Sequence, residues 1–294
     1  MELFLDLLYV PQTGKSDSRD RPHEFDLYVP HVSLDKEHKP ALICFIHGGA
    51  WRSEDKADHS TLAQSLATFT GCPVAVPNYR LTPREPTADS ALLHPAHAED
   101  ILRFLTFAHE WDGSPISAGP LYDPELIFLM GHSCGAHMLA SIILDSAPVT
   151  PSLAPRPALL RAVQGVILSE GIYDIDLLLA SFPDYRTWFI ASAFGEHHSY
   201  AAYATTKFPV RKDGGHIRWL VVHSKGDTLV DQRQSEVMYE HLQRIHEKQD
   251  GGSSNRRVFK DWEALNEEHN DILRGDIFVR VVGDFVSGKQ GSSV

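Results

Sequence analysis

The pentapeptide Gly131-His132-Ser133-Cys134-Gly135 constrains this chain more than any other stretch. Five apolar residues, 126–130, lead into it and a helix-like run, 136–144, leaves it, so the serine sits at a strand-to-helix turn. A turn this tight strains the serine backbone and admits only small residues two positions to either side. It lifts the hydroxyl clear of a sheet, at the positive end of a helix, where a nucleophile is of use.

A second motif, His47-Gly48-Gly49-Ala50-Trp51, follows another apolar run, 41–46. Attack on a carbonyl builds negative charge on its oxygen, and that charge needs donors already in place. Adjacent glycines leave the backbone bare enough to offer such donors. The N–H groups of Gly48 and Gly49, with that of Cys134 after the serine, are therefore expected to form an oxyanion hole. A plain tight turn after a strand is the alternative for Gly48-Gly49.

Alternating apolar runs and helical patterns read as an α/β fold with a mostly parallel central sheet. Strands are expected near 23–30, 41–46, 74–77, 126–130, 163–168, 217–223 and 258–260, and helices near 57–69, 94–109, 136–146 and 232–248. No repeat or linker divides the chain, so 1–294 is read as one domain. The proline-rich stretch 147–157 and the Gly/Ser stretch 250–255 read as loops, and the tail 287–294 as disordered. The aromatic-rich stretch 172–213 reads as a cap insertion, or as ordinary packing helices.

Composition excludes several function classes. The formal charge of -12, with no Lys/Arg block, argues against nucleic acid and anionic membranes as partners. No apolar run is long enough for a membrane span, and the first residues lack the basic start of a secretory leader. The three cysteines, Cys44, Cys72 and Cys134, read as reduced thiols. A cytoplasmic protein is the expectation. The 17 histidines raise metal chemistry, but there is no H-E-x-x-H and no cysteine pair, so they read as scattered core and surface residues and no metal is expected.

A serine nucleophile needs a histidine to take its proton and a carboxylate to orient that histidine. In folds with this elbow the chain order is serine, acid, histidine. The apolar run 219–222 leads into His223-Ser224-Lys225-Gly226-Asp227, which makes Asp227 the expected acid, with Asp231 competing. His269, beyond the next strand, is the expected base. His132 is expected to point away from the nucleophile and His137 to pack beneath the elbow. His241 and His246 are expected on a solvated helix face.

Together with Pro77-Asn78-Tyr79-Arg80-Leu81-Thr82-Pro83 and His269-Asn270-Asp271, these motifs resemble the hormone-sensitive-lipase-like branch of the α/β-hydrolases. Within it the chain resembles the kynurenine formamidases (arylformamidases), particularly the fungal type. Trp51 after the Gly-Gly pair, Gln234-Ser235 after the acid, and Ser169-Glu170-Gly171-Ile172-Tyr173-Asp174 carry the narrower resemblance, with Glu170 departing from the family's Ser-Gly form. The resemblance implies an α/β-hydrolase fold and hydrolysis of N-formyl-L-kynurenine to L-kynurenine and formate, in tryptophan breakdown toward NAD. It implies a small-molecule substrate and no cofactor, and it is compatible with a homodimer. Trp51 and Tyr173 become candidates for stacking on the substrate ring, Trp51 equally for a structural plug. Arg52 and Glu170 become candidate partners for the substrate's carboxylate and ammonium. A carboxylesterase for small acyl esters is the alternative, and a dipeptidase-like or lactone hydrolase would share the same residues. A ligand receptor that has lost its triad is disfavoured by the presence of Ser133, Asp227 and His269.

Overall fold

Among the described residues, eight strands form a single sheet in the order β1-β2-β4-β3-β5-β6-β7-β8. They are β1 (Glu2–Leu8), β2 (Glu24–Val29), β3 (Leu42–Ile46), β4 (Val74–Pro77), β5 (Ile127–His132), β6 (Val163–Ser169), β7 (Arg218–Val222) and β8 (Val258–Asp261). β1 and β2 pair antiparallel, β2 joins β4 antiparallel, and every pairing from β4 to β8 is parallel. The computed structural model describes residues 1–10, 20–31, 39–85, 87, 90–249 and 257–289. The glycine- and serine-rich loop read at 250–255 lies outside them.

The central strands are apolar on both faces because helices cover both. Leu42, Cys44 and Ile46 of β3 enter one core, while Ile43 and Phe45 enter the other, and β5 divides the same way. On the second face lie α1 (Ser60–Thr70) and α8 (Asp276–Val286). Leu62 and Leu66 of α1 recur every four residues, as do Phe278 and Val282 of α8, so each helix turns one apolar stripe to the sheet. The first face carries α2 (Ala96–Glu110), α3 (Cys134–Ile143), α4 (Pro157–Ala162) and α7 (Gln232–Gln249). Ile101, Phe104, Leu105 and Ala108 form the buried stripe of α2.

Three elements differ from the sequence reading. β1 is an edge strand whose Leu3 and Leu5 are exposed, so it lacks the polar alternation that marks a half-buried strand. α4 begins where the expected proline-rich loop ends, with Pro157 at its first turn, where a missing N–H costs nothing. α8 is capped by Ser287, and the N–H groups of Gly288 and Lys289 then bond to Phe285 and Asp284, so the first residues of the expected tail close the helix. Residues 290–294 are outside the described set.

Between β6 and β7, the stretch 172–213 breaks into α5 (Ile175–Ser181), a π-helical turn Arg186–Ile190, α6 (Ala191–Phe194) and two short 3-10 turns, Ala201–Tyr203 and Thr205–Lys207. Its start is tied down by Gln234 of α7, whose Oε1 accepts the N–H groups of Tyr173 and Asp174 at 2.8 and 2.9 Å. No helix among the described residues is long and apolar enough to cross a membrane.

The strand order reverses around β3, because β4 lies on one side of it and β5 on the other. At such a reversal the connections leave in opposite directions and open a crevice beyond the carboxyl ends of the strands. The Gly-Gly loop follows β3 and Ser133 follows β5.

Candidate active site

Ser133 has φ 54° and ψ -122°, a conformation that L-residues rarely hold. The neighbours permit it because they are bare. A Cβ on Gly135 would lie 2.3 Å from the carbonyl oxygen of Ile46, and one on Gly131 would lie 2.7 Å from Gly135 backbone. The serine is fixed by its own N–H, which bonds to the Ser169 carbonyl at 2.9 Å, and by its carbonyl, which accepts from Ala136 at 3.1 Å. Strain of this kind costs about 1–3 kcal/mol and persists where the surroundings over-determine it.

The loop after β3 turns left-handed three times in succession, at Gly49 (φ 90°), Ala50 (φ 53°) and Trp51 (φ 59°). The Gly49 carbonyl accepts the N–H groups of Arg52 and Ser53, each at 3.0 Å, and the Ser53 hydroxyl at 2.8 Å. Tyr79, just past β4, donates to the Gly48 carbonyl at 2.8 Å, with the His47 carbonyl at 3.2 Å. A trans peptide points its N–H opposite its C=O, so this turns the N–H groups of Gly48 and Gly49 away from Tyr79. Gly48 abuts the turn at Ser133, since a Cβ there would stand 3.0 Å from Ser133 Cβ. The N–H of Trp51 donates to Cys134 Sγ at 3.3 Å, and burial pushes that thiol up to about 12.

Asp227 and His269 meet across the loops that follow β7 and β8. His269 Nδ1 donates to Asp227 Oδ2 at 2.8 Å, and Asp227 Oδ1 accepts the N–H groups of Leu229 and Val230 at 2.8 and 2.9 Å. A second carboxylate joins them, with Glu170 Oε2 3.2 Å from the same Nδ1. Burial opposes charge on His269, but the hydrogen bond to Asp227 and the pairing with Glu170 outweigh it and raise the imidazole to about 9. Asp231 takes no part: its Oδ2 accepts the Ser181 hydroxyl of α5.

Ser133 and His269 open into one cavity of about 490 Å³. Tyr185, Trp188 and Phe189 of the insertion form an aromatic wall, and Arg52, Glu54 and Arg84 bring charge to its rim. Arg52 is held by the backbone carbonyls of Trp188 and Arg84. Glu54 sits at φ 73°; burial would raise its carboxyl, but His59 at 3.1 Å, with His47 near by, keeps it below the usual range.

The family model for the alpha/beta hydrolase fold matches residues 43–247. A kynurenine formamidase of Meyerozyma guilliermondii is 31% identical over 209 residues, covering 68% of this chain and 71% of that protein. The chain belongs to the kynurenine formamidase family. The family member from Eremothecium gossypii is 26% identical over 212 residues, covering 69% of this chain and 79% of its own. Among solved structures, a truncated carbohydrate esterase from gut microbiota superposes with a TM-score of 0.69 at 16% identity, covering 98% of this chain and 96% of that one, and so shares the fold.

Within this formamidase fold the residues expected from sequence fall into two groups. Gly48, Gly49, Ser133, Cys134, Asp227 and His269 converge on the crevice. Trp51 and Tyr173 do not line the cavity: both are fully buried, Trp51 against His137, Phe189 and Phe194. The signal for the residues that do line it was the aromatic density of 172–213, which does not show which rings point inward. Glu170 is buried beside His269 and does not reach a substrate ammonium, whereas Arg52 lies at the cavity.

His132 packs beside His269, ring centroids 4.5 Å apart, with its nitrogens facing Ser169 and Asn270. Two other histidines differ from expectation. His241 is buried and donates to the Phe208 carbonyl at 2.8 Å, and His246 is buried as well, so the inner face of α7 carries both. His137 packs below the elbow as expected, donating to the Ile172 carbonyl at 3.0 Å.

Among the described residues, two groups bring ligand atoms within 4.8 Å of one another: His47, Glu54 and His59, and His132, Glu170 and His269. In the first, His59 Nε2 is paired with Glu54 Oε2 at 3.1 Å and His47 Nδ1 lies 3.1 Å from the Gly48 carbonyl. In the second, His269 Nδ1 is committed to Asp227, and both nitrogens of His132 face Ser169 and Asn270.

Proposed function

We propose that the protein is a serine hydrolase that removes the formyl group of N-formyl-L-kynurenine, giving L-kynurenine and formate. The observation that carries this is the convergence of Ser133 with the His269–Asp227 pair at an aromatic-walled cavity, in a chain of the formamidase family.

In this reading Ser133 Oγ attacks the formyl carbon while His269 Nε2 takes its proton. Asp227 holds Nδ1–H and stabilises the imidazolium. The tetrahedral oxyanion lies on the N–H groups of Gly48, Gly49 and Cys134. His269 returns the proton to the aryl nitrogen, the C–N bond breaks and kynurenine leaves. Water, deprotonated by His269, then attacks the formyl ester, formate departs, and Ser133 recovers its proton. A formyl group needs almost no acyl pocket, and an anilide nitrogen leaves more readily than an alkylamine. The aryl ring would lie against Tyr185, Trp188 and Phe189, and the amino-acid end would find Arg52 and Arg84 for its carboxylate and Glu54 for its ammonium.

The same machinery would cleave small acyl esters, so the test sets kcat/KM for N-formyl-L-kynurenine against p-nitrophenyl acetate on one preparation. The expected result is a preference of several orders of magnitude for the formamide. Ester turnover without deformylation would reassign the protein to the esterases.

A further inference from the structure

Glu170 is a costly residue to keep. It is fully buried, it holds φ 47°, and its carboxylate faces another carboxylate across one imidazole. Each feature carries a penalty that a glycine would avoid. Its Oε1 accepts the N–H of Ser224 at 3.0 Å, which fixes the carboxylate in place. Ser224 in turn donates its hydroxyl to the Glu267 carbonyl at 2.6 Å, so Glu170 is braced against the loop that carries His269. Its Oε2 has no aligned hydrogen-bond donor and lies 3.2 Å from His269 Nδ1, whose proton points to Asp227.

We propose that Glu170 is a second acid for His269, a positioning residue at the end of β6 that shares Nδ1 with Asp227 from the end of β7 and sets the pH at which the base becomes available. This rests on His269 being the base.

The groups facing His269 come from four strand ends. They are Asp227 and His223 after β7, Glu170 after β6, His132 at the end of β5 and Glu54 in the loop after β3. The carboxylates favour the imidazolium and the two histidines oppose it. Burial lifts Glu170 to about 7, with the charge of Asp227 acting in the same direction and the His269 contact against it. Glu170 therefore gains and loses its charge in the range where the base must work, and the protons belong to the cluster as a whole. The direction follows: an ionised Glu170 holds the proton on His269, and a neutral isostere releases it. A second acid also implies redundancy, because Glu170 can receive Nδ1–H when Asp227 cannot.

The test uses Glu170→Gln, which keeps the acceptor for Ser224, and Asp227→Asn, singly and together. With p-nitrophenyl acetate and with N-formyl-L-kynurenine, the acid limb of kcat/KM should move down by about one pH unit in Glu170→Gln. Asp227→Asn should lose about 100-fold, short of the roughly 10⁴-fold loss of a site whose sole acid is gone, and the double variant should fall to that lower level. Superimposable pH profiles, with equal losses in Asp227→Asn and the double variant, would overturn the proposal. Should Glu170→Gln fail to fold, NMR titration of His269 in Asp227→Asn, where the Asp227 charge is gone, decides. A value well above the ordinary imidazole range is expected, and an ordinary or lowered one defeats the idea. That titration needs no turnover, and the ester assay needs no formamidase activity, so a wrong substrate assignment would show separately.

Discussion

Tyr79 donates its hydroxyl to the Gly48 carbonyl at 2.8 Å, with the thiol of Cys134 3.8 Å away. One phenol thus ties the loop after β3 to the residue that follows Ser133, and it does so from the fully buried side. Tyr79→Phe keeps the ring and removes only this tie. The expected outcome is a loss of about 10- to 100-fold in kcat with little change in KM, because the donors contribute most once the oxyanion forms. Urea melts should show a cost of about 1–3 kcal/mol for the carbonyl left unpaired. Lost stability with unchanged kcat would leave Tyr79 a purely structural part.

The acid assignment separates two aspartates four residues apart. Asp227→Asn should lower kcat/KM by about 100-fold, because it breaks the bond to His269 Nδ1. Asp231→Asn touches only the Ser181 contact and should change kcat/KM by less than about threefold. Kinetics showing the reverse ranking would move the role to Asp231.

Two tryptophans should part company in the same way. Trp51→Ala empties a core position and should cost about 3–5 kcal/mol in chemical denaturation. Trp188 is 54% exposed at the cavity, so Trp188→Ala should leave stability within about 0.5 kcal/mol. It should raise KM for N-formyl-L-kynurenine by about 10-fold while sparing p-nitrophenyl acetate. Equal effects on both substrates would remove Trp188 from ring recognition.

Asp100 predicts a pH effect on folding. Its buried carboxyl takes two bonds from the Arg80 side chain, at 2.7 and 2.8 Å, and the Arg80 N–H at 3.1 Å. Burial would raise it, but His23 and Arg80 win and lower it from 3.8 to about 2. A lowered carboxylate stabilises the fold fully above its unfolded value, and that stability is lost as pH falls from about 4 through 2. Asp100→Asn should therefore cost about 2–3 kcal/mol at pH 7 and flatten the acid limb of stability between pH 4 and 2. Parallel stability curves for the two proteins would show that Asp100 is not the group responsible.

The crevice was legible because its parts impose local demands that only particular residues meet. Gly131 and Gly135 answer a backbone clearance, Gly49 answers a positive φ, and Asp227 and His269 follow from chain order around the sheet. What sequence could not resolve was direction within an apolar or aromatic stretch. Trp51 and Trp188 are the same residue type, and only the packing of three separate segments sends one into the core and the other to the cavity. Glu170 was visible as a departure from the family's Ser-Gly form. Its partner was hidden, because His269 lies 99 residues away and only the neighbouring ends of β6, β7 and β8 bring its loop close. β1 was missed for a different reason: the bulge between Phe4 and Leu7 breaks its two-residue period.

The residues assigned to bond cleavage sit at the ends of buried strands, whereas Tyr185, Trp188 and Phe189 belong to one surface insertion between β6 and β7. In the proposed reading, contact with the aryl ring is thus written in a different segment of the gene from Ser133, Asp227 and His269. Exchange or resizing of that insertion could redirect the hydrolytic centre to a different acyl donor while every hydrogen bond of the sheet stays in place.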